Sequence, residues 1–164
     1  MLFRSHIKND TLVLVDADNS SGTISGMQYL ISLGHRRIAY IGGYPGFSNS
    51  RDRLESYKKG LSVNFIELDP ELIHVKKMDE AYENFANDAV KALLSLENPP
   101  TAIFAAGFTM AMETILAIRR AGMAVPDDIS VLGFDDFEPF TNINQPFLTT
   151  VRQPLFELGQ AAAR

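Results

Sequence analysis

The chain has 164 residues, 46 % hydrophobic and 21 % charged, with a formal net charge of −5 and no cysteine. That length and balance fit one compact domain with a core of ordinary size. The charge opposes contact with a phosphate backbone, and zero cysteine excludes disulfides, thiolate metal sites and a cysteine nucleophile.

At the N-terminus, MLFRSHIKND lacks the apolar stretch of an export signal. No segment anywhere approaches the roughly 18 consecutive apolar residues of a membrane span. The first predicted strand, Leu12 to Val15, is an unbroken apolar run with no helical pattern before it. A natural domain rarely starts so, and the chain is expected to be a fragment. Asn19-Ser20-Ser21-Gly22 supplies cap chemistry, and Ile24, Met27, Leu30 and Ile31 give a helix that Gly34 can end. Ile38 to Ile41 is the next strand, broken by Gly42-Gly43. Leu54, Tyr57 and Leu61 mark the following helix.

After the turn at Asp69-Pro70 comes a weaker strand, Leu72 to Val75. Tyr82, Phe85, Ala89, Leu93 and Leu96 form a helical stripe that Asn98-Pro99-Pro100 stops. Ala102 to Ala105 reads as a strand. Met112, Ile115, Leu116 and Arg119 read as a helix closed by Gly122. Ile129 to Phe134 is a further strand. Pro146 precedes a last one, Leu148 to Val151, and Pro154 opens a helix through Leu155 and Leu158. Unalternating apolar strands between helices predict an α/β fold, a parallel sheet flanked by helices on both faces.

Such sheets bind ligands outside the carboxyl ends of their strands. That rule selects the loop 44–53, Lys76 to Asp79, Ala106 to Thr109, and Asp135-Asp136. Arg53 and Asp135 then face one crevice. A guanidinium donates in a planar fork and a carboxylate accepts from two hydroxyls, so the pair could grip a polyol.

Three stretches carry a family resemblance: VDADNSSGTISGMQYLISLGHRRIAYIGG at 15–43, VPDDISVLGFDD at 125–136, and FLTTVRQPLFELGQAAA at 147–163. SRDRLESY at 50–57 and AIFAAGFTMAMETILAIRRAG at 102–122 lie between them. In order and spacing these resemble the effector-binding domain of LacI/GalR bacterial transcriptional regulators. The resemblance implies a periplasmic-binding-protein type I lobe, and a protein in which an effector sits between two lobes joined by three crossings. It places residues 1–18 as the remnant of the N-terminal lobe and first crossover. Residues 19–147 become the C-terminal lobe, and 148–164 the return strand and helix towards the N-terminal lobe. The strands at both chain ends would then belong to a second lobe. The helix-turn-helix head and most of the first lobe are missing on this reading.

By the same resemblance the ligand-binding candidates are Arg53, Asp135, Asn49, Phe108 and Phe47. Phe108 stands where the family often has Asp, replacing an acceptor by a stacking surface. Ser56 and Glu113 stand where glycines are usual. Plainer readings remain open. Arg53 could be a solvated helix residue beside Asp52 and Glu55. Asp135 and Asp136 could turn a loop, and Phe108 could be core. His35, just after Gly34, fits a helix C-terminus better than a general base. His6 and His74 show no metal-ligand spacing.

The expected function is sensing of a small polar effector, a sugar, by a cytoplasmic regulator, a repressor or relative of one. It is coupled to operator DNA only through the missing head, in a homodimer, with no membrane partner. The alternative is a sugar-binding receptor of a transport system with the same fold. No enzyme activity, metal or cofactor is expected. An enzyme would need a second carboxylate cluster, and Ala105-Ala106-Gly107-Phe108 supplies none.

Overall fold

Alternation between short apolar runs and amphipathic stretches becomes strand–helix alternation in space. A computed structural model describes residues 17–136 and 148–163. The strand expected at Leu12 to Val15, His6 and Pro146 lie outside the described residues.

In chain order the elements are α1 (Asn19–Ser32), β1 (Ile38–Gly42), α2 (Ser48–Val63), a 3-10 turn (Pro70–Leu72), β2 (Ile73–Val75), α3 (Tyr82–Leu94), β3 (Ala102–Ala105), α4 (Phe108–Arg120), β4 (Ser130–Phe134), β5 (Thr149–Val151) and α5 (Leu155–Ala162). The strands form one sheet, ordered β2-β1-β3-β4-β5, and every pairing is parallel. One row across it reads Ile73, Tyr40, Phe104, Leu132, Thr149. The next row reads His74, Ile41, Ala105, Gly133, Thr150.

Adjacent rows project to opposite faces, so these two rows feed two cores. Tyr40, Phe104 and Leu132 join Met27 and Leu30 of α1 and Tyr57 and Leu61 of α2. Ile41 and Ala105 join Phe85, Ala89 and Leu93 of α3 and Met110, Ile115 and Ile118 of α4. Both faces of β1 and β3 are buried, which is why these strands show no polar alternation.

α1 can press onto the sheet because it carries glycine at its contact points. A Cβ on Gly26 would sit 2.9 Å from Phe104 and 3.0 Å from Val151. Gly22 makes the same approach one turn earlier, against Val151 and Phe134. This packing corrects one expectation. The strand near the C-terminal end is not set apart in a second lobe: β5 pairs with β4 as the edge of this sheet. The packing of half-buried Val151 against the α1 glycines gives the physical reason. α5, by contrast, contributes no buried residue and leaves Leu155 and Phe156 62 % and 74 % exposed.

His74 sits in β2, where burial disfavours the charged imidazole and lowers its pKa, against an opposing hydrogen bond with the Glu71 backbone. The unfolded chain takes up this proton near pH 6.5, roughly the ordinary histidine value, while the folded chain resists it. Stability is therefore full above about pH 6.5 and falls as pH drops towards the lowered folded value. Urea midpoints measured from about pH 7.5 to 5.5 should fall, and His74→Gln should flatten the decline. An unaltered slope in the variant would refute the assignment. His35, also shifted down by burial, contributes to the slope in the same direction.

Candidate functional site

All carboxyl ends of the parallel strands lie at one edge of the sheet, and a cavity of about 680 Å³ opens there. α2, α3 and α4 begin at its rim. Their N-cap residues, Phe47, Ala81 and Gly107, make no side-chain capping bond. The positive ends of three helix dipoles thus face this space.

Arg53 reaches it from the second turn of α2. Its position continues the buried stripe Ser56, Tyr57, Gly60 and Leu61 at spacings of three and four, so the helix turns the arginine inward. It is 5 % exposed. Nε donates to Asn19 Oδ1 at 2.8 Å, and Nη1 donates to the Ala106 carbonyl at 3.2 Å. Nη1 also pairs with Asp135 Oδ2 at 3.5 Å. The guanidinium carbon lies 3.6 Å from the centre of the Phe134 ring, a cation–π contact with the core.

Asp135 follows β4 directly and has φ +73°. Few non-glycine residues accept that backbone, and Asp and Asn are among those that do. β5 holds it there. The Asp135 N–H donates to the Val151 carbonyl at 2.9 Å, and Thr150 Oγ1 donates to the Asp135 carbonyl at 2.6 Å. The Gln153 amide donates to Oδ1. Oδ2 faces Arg53, and the side chain is 32 % exposed.

The structure brings all five sequence-predicted residues to this cavity. Asn49 lines one wall, with its own Oδ1 accepting from the Ser50 N–H at 2.9 Å. Phe47 is exposed at the mouth and packs edge-on against Tyr44, with ring centres 5.7 Å apart. Phe108 is the first residue of α4, half-buried on the wall and outside both cores. Asp136 is not on the wall and pairs with Arg152 Nε at 3.2 Å. His35 lies beyond the opposite edge, with Nδ1 2.9 Å from Thr101 Oγ1.

Sequence reasoning missed two contributors. Asn19 read as a helix cap, but the cap is Asp18, whose Oδ1 accepts from the Ser21 N–H at 2.8 Å. That bond holds the Asp18 carboxyl below its usual range. Asn19 is freed to orient Arg53. Lys76 belonged to a loop picked out by topology, yet its burial, to 7 % exposure, was not foreseen. Among the described residues no group of three or more His, Asp or Glu side chains could hold a metal. No described helix is long and apolar enough to cross a membrane.

The profile of the periplasmic binding protein-like domain family matches residues 27–164. The HTH-type transcriptional repressor CytR of Escherichia coli (strain K12) is 34 % identical over 151 residues, 92 % of this chain and 43 % of that protein. The chain thus spans less than half the length of this curated relative. A regulatory protein of LacI family from Chloroflexus aggregans superposes with TM-score 0.84 at 31 % identity, over 96 % of this chain and 55 % of that one. A transcriptional regulator CelR–cellobiose complex gives TM-score 0.82 at 31 % identity, over 97 % and 47 %. The chain belongs to the periplasmic binding protein-like domain family and is similar to part of LacI-family transcriptional regulators.

Proposed function

We propose that this chain is the effector-sensing part of a bacterial transcriptional regulator and that its effector is a sugar. One observation carries the reading. A buried arginine and a carboxylate, donor fork and acceptor, share one cavity at the carboxyl edge of a parallel sheet. A ring hydroxyl both donates and accepts, so it can use both groups. Phe108 adds an apolar face for the ring. The cellobiose complex of a similar regulator supports the ligand class.

On this reading residues 19–147 form the C-terminal lobe and residues 1–18 belong to the N-terminal lobe and first crossing. Within 148–164, β5 stays with this sheet and the part that follows it returns towards the N-terminal lobe, which gives the exposed Leu155 and Phe156 a surface to cover. The effector closes the space between lobes and shifts their angle, since only differential affinity for two states moves an equilibrium. The protein works in the cytoplasm as a homodimer, touches operator DNA through a separate head, and performs no catalysis. The net charge of −5 argues against direct operator contact by this chain. A transport receptor is less favoured, because the relatives named above are regulators.

A thermal-shift screen of sugars and purines on the complete gene product tests the reading. A ligand at 100 times its Kd should add about 2.7 kcal/mol of stability. A flat response to every sugar would refute it.

A further inference from the structure

Lys76 is a second buried cation on the same cavity, 7 % exposed at the end of β2. Its ammonium has three N–H donors. Two go to backbone carbonyls, Lys77 at 2.6 Å and Met78 at 3.3 Å, and the charge also lies 5.2 Å from the Tyr82 ring centre. No carboxylate pairs with it among the described residues. Burying a charge without a counter-ion is costly. The one carboxylate on the described wall, Asp135, is engaged by Arg53 through Oδ2 and by Gln153 through Oδ1. The wall therefore carries two cations and one committed anion, in a protein whose net charge is −5. The helix starts at the rim add potential of the same sign.

We infer that the effector is an anionic sugar, with its carboxylate or phosphate group seated on Lys76 and its ring hydroxyls on Arg53 and Asp135. This deepens the sugar-sensing reading and rests on it. The anion supplies the missing counter-charge and takes the third N–H. A neutral sugar would leave the ammonium with carbonyl partners alone.

The test is calorimetric titration of the complete gene product with three matched sets: neutral hexoses, the corresponding uronates, and the corresponding hexose phosphates. One anionic set should bind about tenfold or more tightly than the neutral set, the range of a hydrogen bond to a charged group. Which set does so distinguishes carboxylate from phosphate. Lys76→Gln should erase the preference, bringing the anionic sets down to the affinity of the neutral set in the same variant, and Lys76→Arg should retain it. The urea midpoint of each variant establishes that it is folded. Neutral sugars binding as well as anionic ones would overturn this inference and leave the sugar reading standing. A preference surviving in folded Lys76→Gln would do the same. Binding by none of the three sets would overturn both.

Discussion

Asp135→Asn in the complete gene product is expected to weaken effector binding on the order of tenfold to a hundredfold while leaving operator affinity intact. The magnitude follows from removing the charge behind a hydrogen bond, about 1.5–3 kcal/mol. The substitution removes that charge and keeps one of the two acceptor oxygens. Asparagine tolerates the φ of +73° that position 135 requires and keeps the backbone bonds to Thr150 and Val151. Asp135→Ala removes the acceptor and also places a less tolerant residue in the left-handed region, at about 1–2 kcal/mol. Both variants lose the counter-charge beside Arg53, and alanine should therefore lower the unfolding midpoint further than asparagine does. Effector titration by calorimetry and operator titration by fluorescence anisotropy check the pair. Full effector affinity in Asp135→Asn would remove Asp135 from the site.

Arg53→Lys should fail in a different way, losing both affinity and stability. Lysine keeps the charge but cannot repeat the planar fork. One guanidinium meets Asn19, Ala106 and Asp135 and lies over Phe134. A lysine ammonium reaching Asp135 leaves Asn19 Oδ1 unmatched, and Asn19 is 5 % exposed. A buried acceptor without its donor costs about 1–3 kcal/mol. Urea unfolding should show a loss of that order, and effector affinity should fall about as far as in Asp135→Asn. A lysine variant with unchanged stability and binding would show that the fork is idle.

The two residues at the centre of these experiments were legible in the sequence, for a topological reason. Apolar runs at Ile38 to Ile41, Ala102 to Ala105 and Ile129 to Phe134 mark parallel strands, and parallel strands end at one edge. Whatever follows them must meet there. Asp135 follows β4 immediately, so its place could be read directly. Arg53 needed one more step, because a helical arginine is usually solvated. Its spacing to Tyr57 and Leu61, four and eight residues, already set it on the inward face. Lys76 had no such periodic neighbour. Its burial depends on the β2–α3 loop folding back over it, which local pattern does not encode. Asn19 was obscured by its chemistry, since Asp and Asn both serve as caps and only the geometry separates Asp18 from its neighbour. The β5 pairing was hidden for a similar reason: it rests on glycines in α1 more than a hundred residues earlier in the sequence.

Asp135 is fastened on two sides. One carboxylate oxygen looks into the cavity towards Arg53, and the other holds the amide of Gln153, two residues before α5 begins. The backbone of Asp135 is bound as well, to Thr150 and Val151. The side chain is thus a shared joint between the cavity wall and the segment that leaves the sheet. Turning it to meet one neighbour changes its angle to the other. The interior of the cavity and the exit of the chain cannot be adjusted independently.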